Sequence, residues 1–128
     1  MKMNERLSIY HQFIDSLVSL KEGVLGNWIT EKGFPDLEGN KEINEFLSRM
    51  TSTDKKIIAA LVEQGRQGGI HDVLVFIQDS VNTKELNLYK GGVELANEPY
   101  GTTMNWDWTC RCEGDDWPTD DLDAEYQK

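Results

Sequence analysis

The sequence predicts an α+β fold in which about four N-terminal helices pack on one face of a C-terminal three-stranded antiparallel meander. Three observations carry this: apolar residues at helical spacing between Leu7 and Val62, a Gly91-Gly92 pair between two period-two segments, and strict alternation from Thr103 to Cys112. The expected organisation is a single domain over residues 1–117 followed by an acidic, mobile tail over residues 118–128.

The first helix follows from Leu7, Tyr10, Phe13, Ile14, Leu17 and Val18, which fall at i, i+3 and i+4 on one stripe, and is expected over residues 4–22. Gly23 and Gly26 interrupt it, and Trp28, Gly33, Pro35 and Gly39 punctuate a long connection. Asn40 is a capping residue for a short second helix carrying Ile43, Phe46, Leu47 and Met50. Thr51, Ser52 and Thr53 offer caps for a third, with Ile57, Ile58, Leu61 and Val62 as its stripe and Gly65, Gly68 and Gly69 as its expected end. Residues 70–80 carry both a helical stripe (Ile70, Val73, Leu74, Ile77) and an apolar run that reads as a buried strand; the spacing favours a helix.

From Glu85 the period becomes two. A two-residue turn at Gly91-Gly92 sets Lys90 opposite Val93, Tyr89 opposite Glu94 and Leu88 opposite Leu95. Met104, Trp106, Trp108, Cys110 and Cys112 then alternate with polar residues, which predicts a third, half-buried strand covered by the helices.

Charge narrows the partners. The chain carries 23 acids against 13 Lys and Arg, a formal −10, and residues 113–128 concentrate seven of the acids. Such a surface repels phosphates and anionic lipid, so neither nucleic acid nor membrane is an expected partner, and a basic protein is. No stretch approaches the ~18 apolar residues of a membrane span, and no apolar leader follows the N-terminal charges; with two closely spaced cysteines, this points to a reducing cytoplasmic setting.

Candidate chemistry is sparse. Cys110 and Cys112 on one side of a strand, with His71 or His11, would supply zinc-type donors, but no second Cys or His pair completes a tetrahedron, and buried thiols are the favoured reading; no metal and no cofactor is expected. His71-Asp72 at a helix start, with Cys110 nearby, would be the catalytic candidates of a small enzyme or metal-dependent protein. Against it, adjacent helical residues point about 100° apart, so Asp72 does not by itself orient His71. Phosphate loops, calcium loops and nucleophile elbows are absent from the sequence.

Aromatic residues outside the regular elements remain. Trp28, Tyr100 and Trp117, the last beside Asp115 and Asp116, are the expected contact surface of a non-catalytic, adaptor- or immunity-like module that binds a basic protein. A homodimer through a sheet edge or aromatic patch is a third reading.

Overall fold

The computed structural model describes residues 4–118, which form two compact units. The expected tail beyond Pro118 lies outside the described residues. One unit holds residues 4–20 and 70–118, the other residues 21–69.

The first unit is built on α1 (Glu5–Val18). Asn4 caps it, its side chain accepting from the Leu7 amide at 2.9 Å. The periodicity read from the sequence is the one that buries: Leu7, Tyr10 and Ile14 are fully enclosed. They pack with Leu74, Leu95, Tyr100, Met104 and Trp108 in one cluster. Each large apolar side chain buried in this way contributes roughly 1.5–3 kcal/mol.

The hairpin forms in the expected register, with β1 (Tyr89–Lys90) antiparallel to β2 (Val93–Glu94), Tyr89 facing Glu94 and Lys90 facing Val93. Gly91 and Gly92 hold the positive φ angles that a two-residue turn requires, +59° and +80°. A Leu95 amide to Leu88 carbonyl bond of 3.0 Å continues the pairing, and the Ala96 amide donates to the Arg6 carbonyl at 3.2 Å, joining the hairpin to α1.

The expected three-stranded meander does not form, and among the described residues the sheet has two short strands. Residues 104–112 are α5 (Met104–Cys112), a helix and not a third strand. The alternation misleads because helical spacing is also satisfied there: Met104, Asp107 and Trp108 share a face and are buried, whereas Trp106, expected inside, is 60% exposed. The fold is thus mostly helical, and the α+β class is corrected accordingly.

A second correction concerns the glycines. Gly65, Gly68 and Gly69 do not end a helix, because α4 runs unbroken from Ser52 to Asn82 and takes in the ambiguous segment 70–80 as helix. An interior glycine costs roughly 1 kcal/mol relative to alanine, which packing and helix continuity readily offset. In the first unit α4 buries Leu74 and Gln78. The Gln78 side chain accepts from the Met104 amide at 2.9 Å and donates to Asn97 at 2.8 Å and Asn82 at 3.1 Å, so a polar group at the core has its partners.

In the second unit α2 (Leu25–Asn27) passes into a π-helical turn, Trp28–Lys32, that stops at Gly33 with φ +79°. A 3₁₀ turn (Glu38–Asn40) precedes α3 (Lys41–Ser48). The Asn40 side chain donates to the Pro35 carbonyl instead of capping α3. Ile29, Leu47 and Ala59 form the small core. Asn44 clamps the turn, accepting from the Phe34 amide at 2.9 Å and donating to its carbonyl at 3.0 Å. Thr51 caps α4 as expected, accepting from the Asp54 amide at 3.1 Å. Among the described residues, no helix is long and apolar enough to cross a membrane.

Candidate functional site

In the first unit, helical spacing on α1 brings Tyr10, His11 and Asp15 to the side that meets α5, and the same spacing on α5 presents Asp107 and Arg111. Asp107 is 6% exposed, an acid where the core demands an apolar group. Its two oxygens are both engaged: Tyr10 donates its hydroxyl to Oδ2 and Thr102 to Oδ1. Burial lifts the Asp107 carboxyl above the usual carboxylate range; the two hydroxyl donors pull the other way, and the nearby charge of Glu98 adds to the rise. Burial, and then Asp107 itself, push the Tyr10 phenol above its ordinary range, so Tyr10 stays a proton donor.

A second network lies alongside. Arg111 forks onto Asp15, its Nε donating to Oδ1 at 2.8 Å and its Nη2 to Oδ2 at 3.2 Å, while Trp117 Nε1 donates to Oδ2 at 3.1 Å. Burial would raise the Asp15 carboxyl, but these donors and the Arg111 charge outweigh it and hold Asp15 below its ordinary value. Arg111 Nη1 also donates to the Asp115 carbonyl at 2.8 Å, and its guanidinium stands 5.0 Å from the centre of the Trp117 ring. The other stacking partner of Trp117 is His11, 4.0 Å away and nearly parallel at 5°. His11 Nε2 shares a hydrogen bond with the Tyr100 hydroxyl, and their rings stack at 5.8 Å.

Residues of these networks also line a cleft of about 270 Å³, together with Trp106 and Cys110 of α5 and with Tyr100, Asp115, Asp116 and Trp117. Four of the five binding residues expected from sequence, Tyr100, Asp115, Asp116 and Trp117, therefore line one surface. The fifth, Trp28, belongs to the other unit, where it meets Phe34 edge-on at 5.4 Å.

The catalytic and metal candidates do not assemble comparably. His71 Nδ1 lies 3.4 Å from Asp72 Oδ1 on the outside of α4, with Asp72 largely exposed, and Nε2 lies 3.4 Å from the Asn105 amide. Burial pushes the Cys110 thiol up, and the charges of Asp115, Asp107 and Glu113 push it further, which keeps it protonated and a poor nucleophile. On a helix Cys110 and Cys112 project about 200° apart, so the sulfurs do not share the side that a strand would have given them. The two cysteines form no disulfide. Among the described residues no three His, Cys, Asp or Glu side chains gather as metal ligands.

Sequence reasoning missed Tyr10, Asp15, Asp107, Arg111 and Trp106 as parts of this site. The available signal was the helical spacing Met104–Asp107–Trp108, which the period-two pattern masked.

A protein-family model described as a family of unknown function (DUF6547) matches residues 3–119. No curated protein and no solved structure matches the chain.

Proposed function

The chain belongs to DUF6547, a family of unknown function, and we propose that it is a non-catalytic cytoplasmic protein-binding module whose cleft at Tyr100, Asp115, Asp116 and Trp117 engages a basic partner. One observation carries this reading: residues scattered from 100 to 117 converge on a concave, aromatic surface edged by exposed carboxylates, on a chain of formal charge −10. Small interfaces of this kind derive much of their energy from a few aromatic anchors, and complementary charge speeds and orients the encounter. The enzyme alternative has less to draw on, since Cys110 is held as a thiol and His71-Asp72 is not among the residues that line the cleft.

The test is capture of partners from native lysate by the parent chain and by an Asp115→Asn/Asp116→Asn double variant, followed by affinity measurements against salt. A partner held by the parent is expected to bind the variant at least about 5-fold more weakly, and to weaken as salt rises from 50 to 300 mM, roughly, where screening shortens the reach of surface charge. A partner bound alike by both chains, or indifferent to salt, would refute the proposal.

A further inference from the structure

We infer that the cleft is a guanidinium site, taking an arginine side chain of the partner with Trp106 as its stacking wall and the Asp115 and Asp116 carboxylates as its acceptors. The inference rests on the binding-module reading and specifies the chemistry that the module recognises.

Trp106 is the first ground. It is 60% exposed while its neighbours Asp107 and Trp108 are buried, so a large indole face on a regular helix stands open at the edge of the cleft. Indole is the strongest of the side-chain rings in attracting a cation to its face. Among the described residues no cation sits over Trp106.

The second ground is charge. Among the described residues lining the cleft the one cationic side chain, Arg111, is committed to Asp15 through its fork and to the Asp115 carbonyl. The rim then carries the negative charge of Asp115 and Asp116, both exposed, of which Asp116 feels the Arg111 charge and Asp115 accepts from the Cys110 thiol.

The preference for arginine over lysine follows from a comparison inside the molecule. Beside the cleft, Arg111 is held by an indole, Trp117, and a carboxylate, Asp15. Trp106 with Asp115 and Asp116 repeats those two ingredients, and among the described residues no cation stacks on the Trp106 ring, while Asp116 lies near enough to Arg111 to feel its charge. A planar guanidinium stacks on an indole while its edge keeps N–H donors for carboxylates, and it sheds water more readily than a compact ammonium. A space of about 270 Å³ accommodates one such side chain.

Two peptides of equal length and charge, one with arginine and one with lysine in a Gly-Ser background, would be titrated into the full chain and followed by NMR at the indole N–H signals. The expected result at about 50 mM salt is that the arginine peptide binds at least about 5-fold more tightly and shifts the Trp106 signal. Trp106→Ala should weaken the arginine peptide about 5- to 10-fold and abolish the preference. Trp106→Leu, which keeps apolar bulk and removes the π face, should do the same, with melting temperatures near the parent's because the ring is exposed. Asp115→Asn/Asp116→Asn should weaken both peptides. Equal affinity for the two peptides, no binding of either, or a preference that survives both Trp106 variants would overturn the inference. A native partner that depends on Asp115 and Asp116, beside peptides bound alike, would retain the module reading and remove the arginine assignment.

Discussion

Tyr10→Phe removes a single oxygen from the fully buried core and should cost more stability in alkali than in acid. Phenylalanine fills the same space, so no cavity opens and the loss is that of the hydrogen bond to Asp107 Oδ2. Asp107 is 6% exposed, and water cannot easily replace the donor; Thr102 then serves the carboxyl alone. A bond to a charged acceptor is worth about 1.5–3 kcal/mol and a neutral one about 1 kcal/mol. The loss should therefore be larger at pH 8, where more of Asp107 is ionised, than near pH 4: up to about 2.5 kcal/mol against about 1 kcal/mol. At roughly 4 °C per kcal/mol, the melting point falls by up to about 10 °C and by about 4 °C respectively. The direction follows from linkage. Because the folded Asp107 carboxyl lies above its unfolded value, the native state binds the extra proton, and this group's contribution is greatest below the unfolded value and declines as pH rises through the folded one. Losing the Tyr10 donor raises the folded value further and widens that window. Urea denaturation at the two pH values, followed by near-ultraviolet circular dichroism, measures both numbers. Equal losses at the two pH values, or a loss under about 0.5 kcal/mol at pH 8, would refute the reasoning.

Two further outcomes are expected. Gln78→Ala strands the Met104 amide, while Asn82 and Asn97 keep their bond to each other and face water, and should destabilise the chain by about 2 kcal/mol in urea titrations, with faster amide exchange at Met104. Arg111→Lys breaks the fork on Asp15, so the Asp15 carboxyl should titrate closer to its ordinary value by NMR. In the parent, Asp15 stabilises above its unfolded value and loses that contribution as pH falls through its lowered folded value; the variant should lose less on the same acid limb.

Local patterns in the sequence were legible where one pattern dominated. The α1 stripe of Leu7, Tyr10 and Ile14 had no competing strand reading, and Gly91-Gly92 specifies a turn whose geometry then sets the register of Tyr89 with Glu94. Residues 104–112 failed because period two and period 3.6 both fit, and the residue that decides between them, Asp107, is an acid on the buried face. Its burial is tolerable only because Tyr10 and Thr102 supply donors, and neither is visible from the local sequence. The run through Gly65, Gly68 and Gly69 failed because about 1 kcal/mol per glycine is a tendency and not a stop: the three are exposed, and α4 is anchored by burial on either side of them, at Ala59 and at Leu74 and Gln78. Of the site, the residues between Tyr100 and Trp117 could be suspected individually as exposed aromatics and acids. That Asp15 would anchor Trp117 needed the fold.

The hydrogen bonds that Arg111 and Trp117 donate to Asp15 span 96 and 102 residues of chain. During synthesis at about 5–20 residues per second, α1 therefore leaves the ribosome roughly 5–20 s before the segment that completes its surroundings. Residues 21–69 form a contiguous unit and can fold while the remainder is still being made, but Leu7, Tyr10 and Ile14 must wait with their apolar faces uncovered. Maturation of the unit that bears the cleft accordingly waits for residues 104–117, and the interval before they emerge is when the nascent chain is most exposed to aggregation and to chaperones.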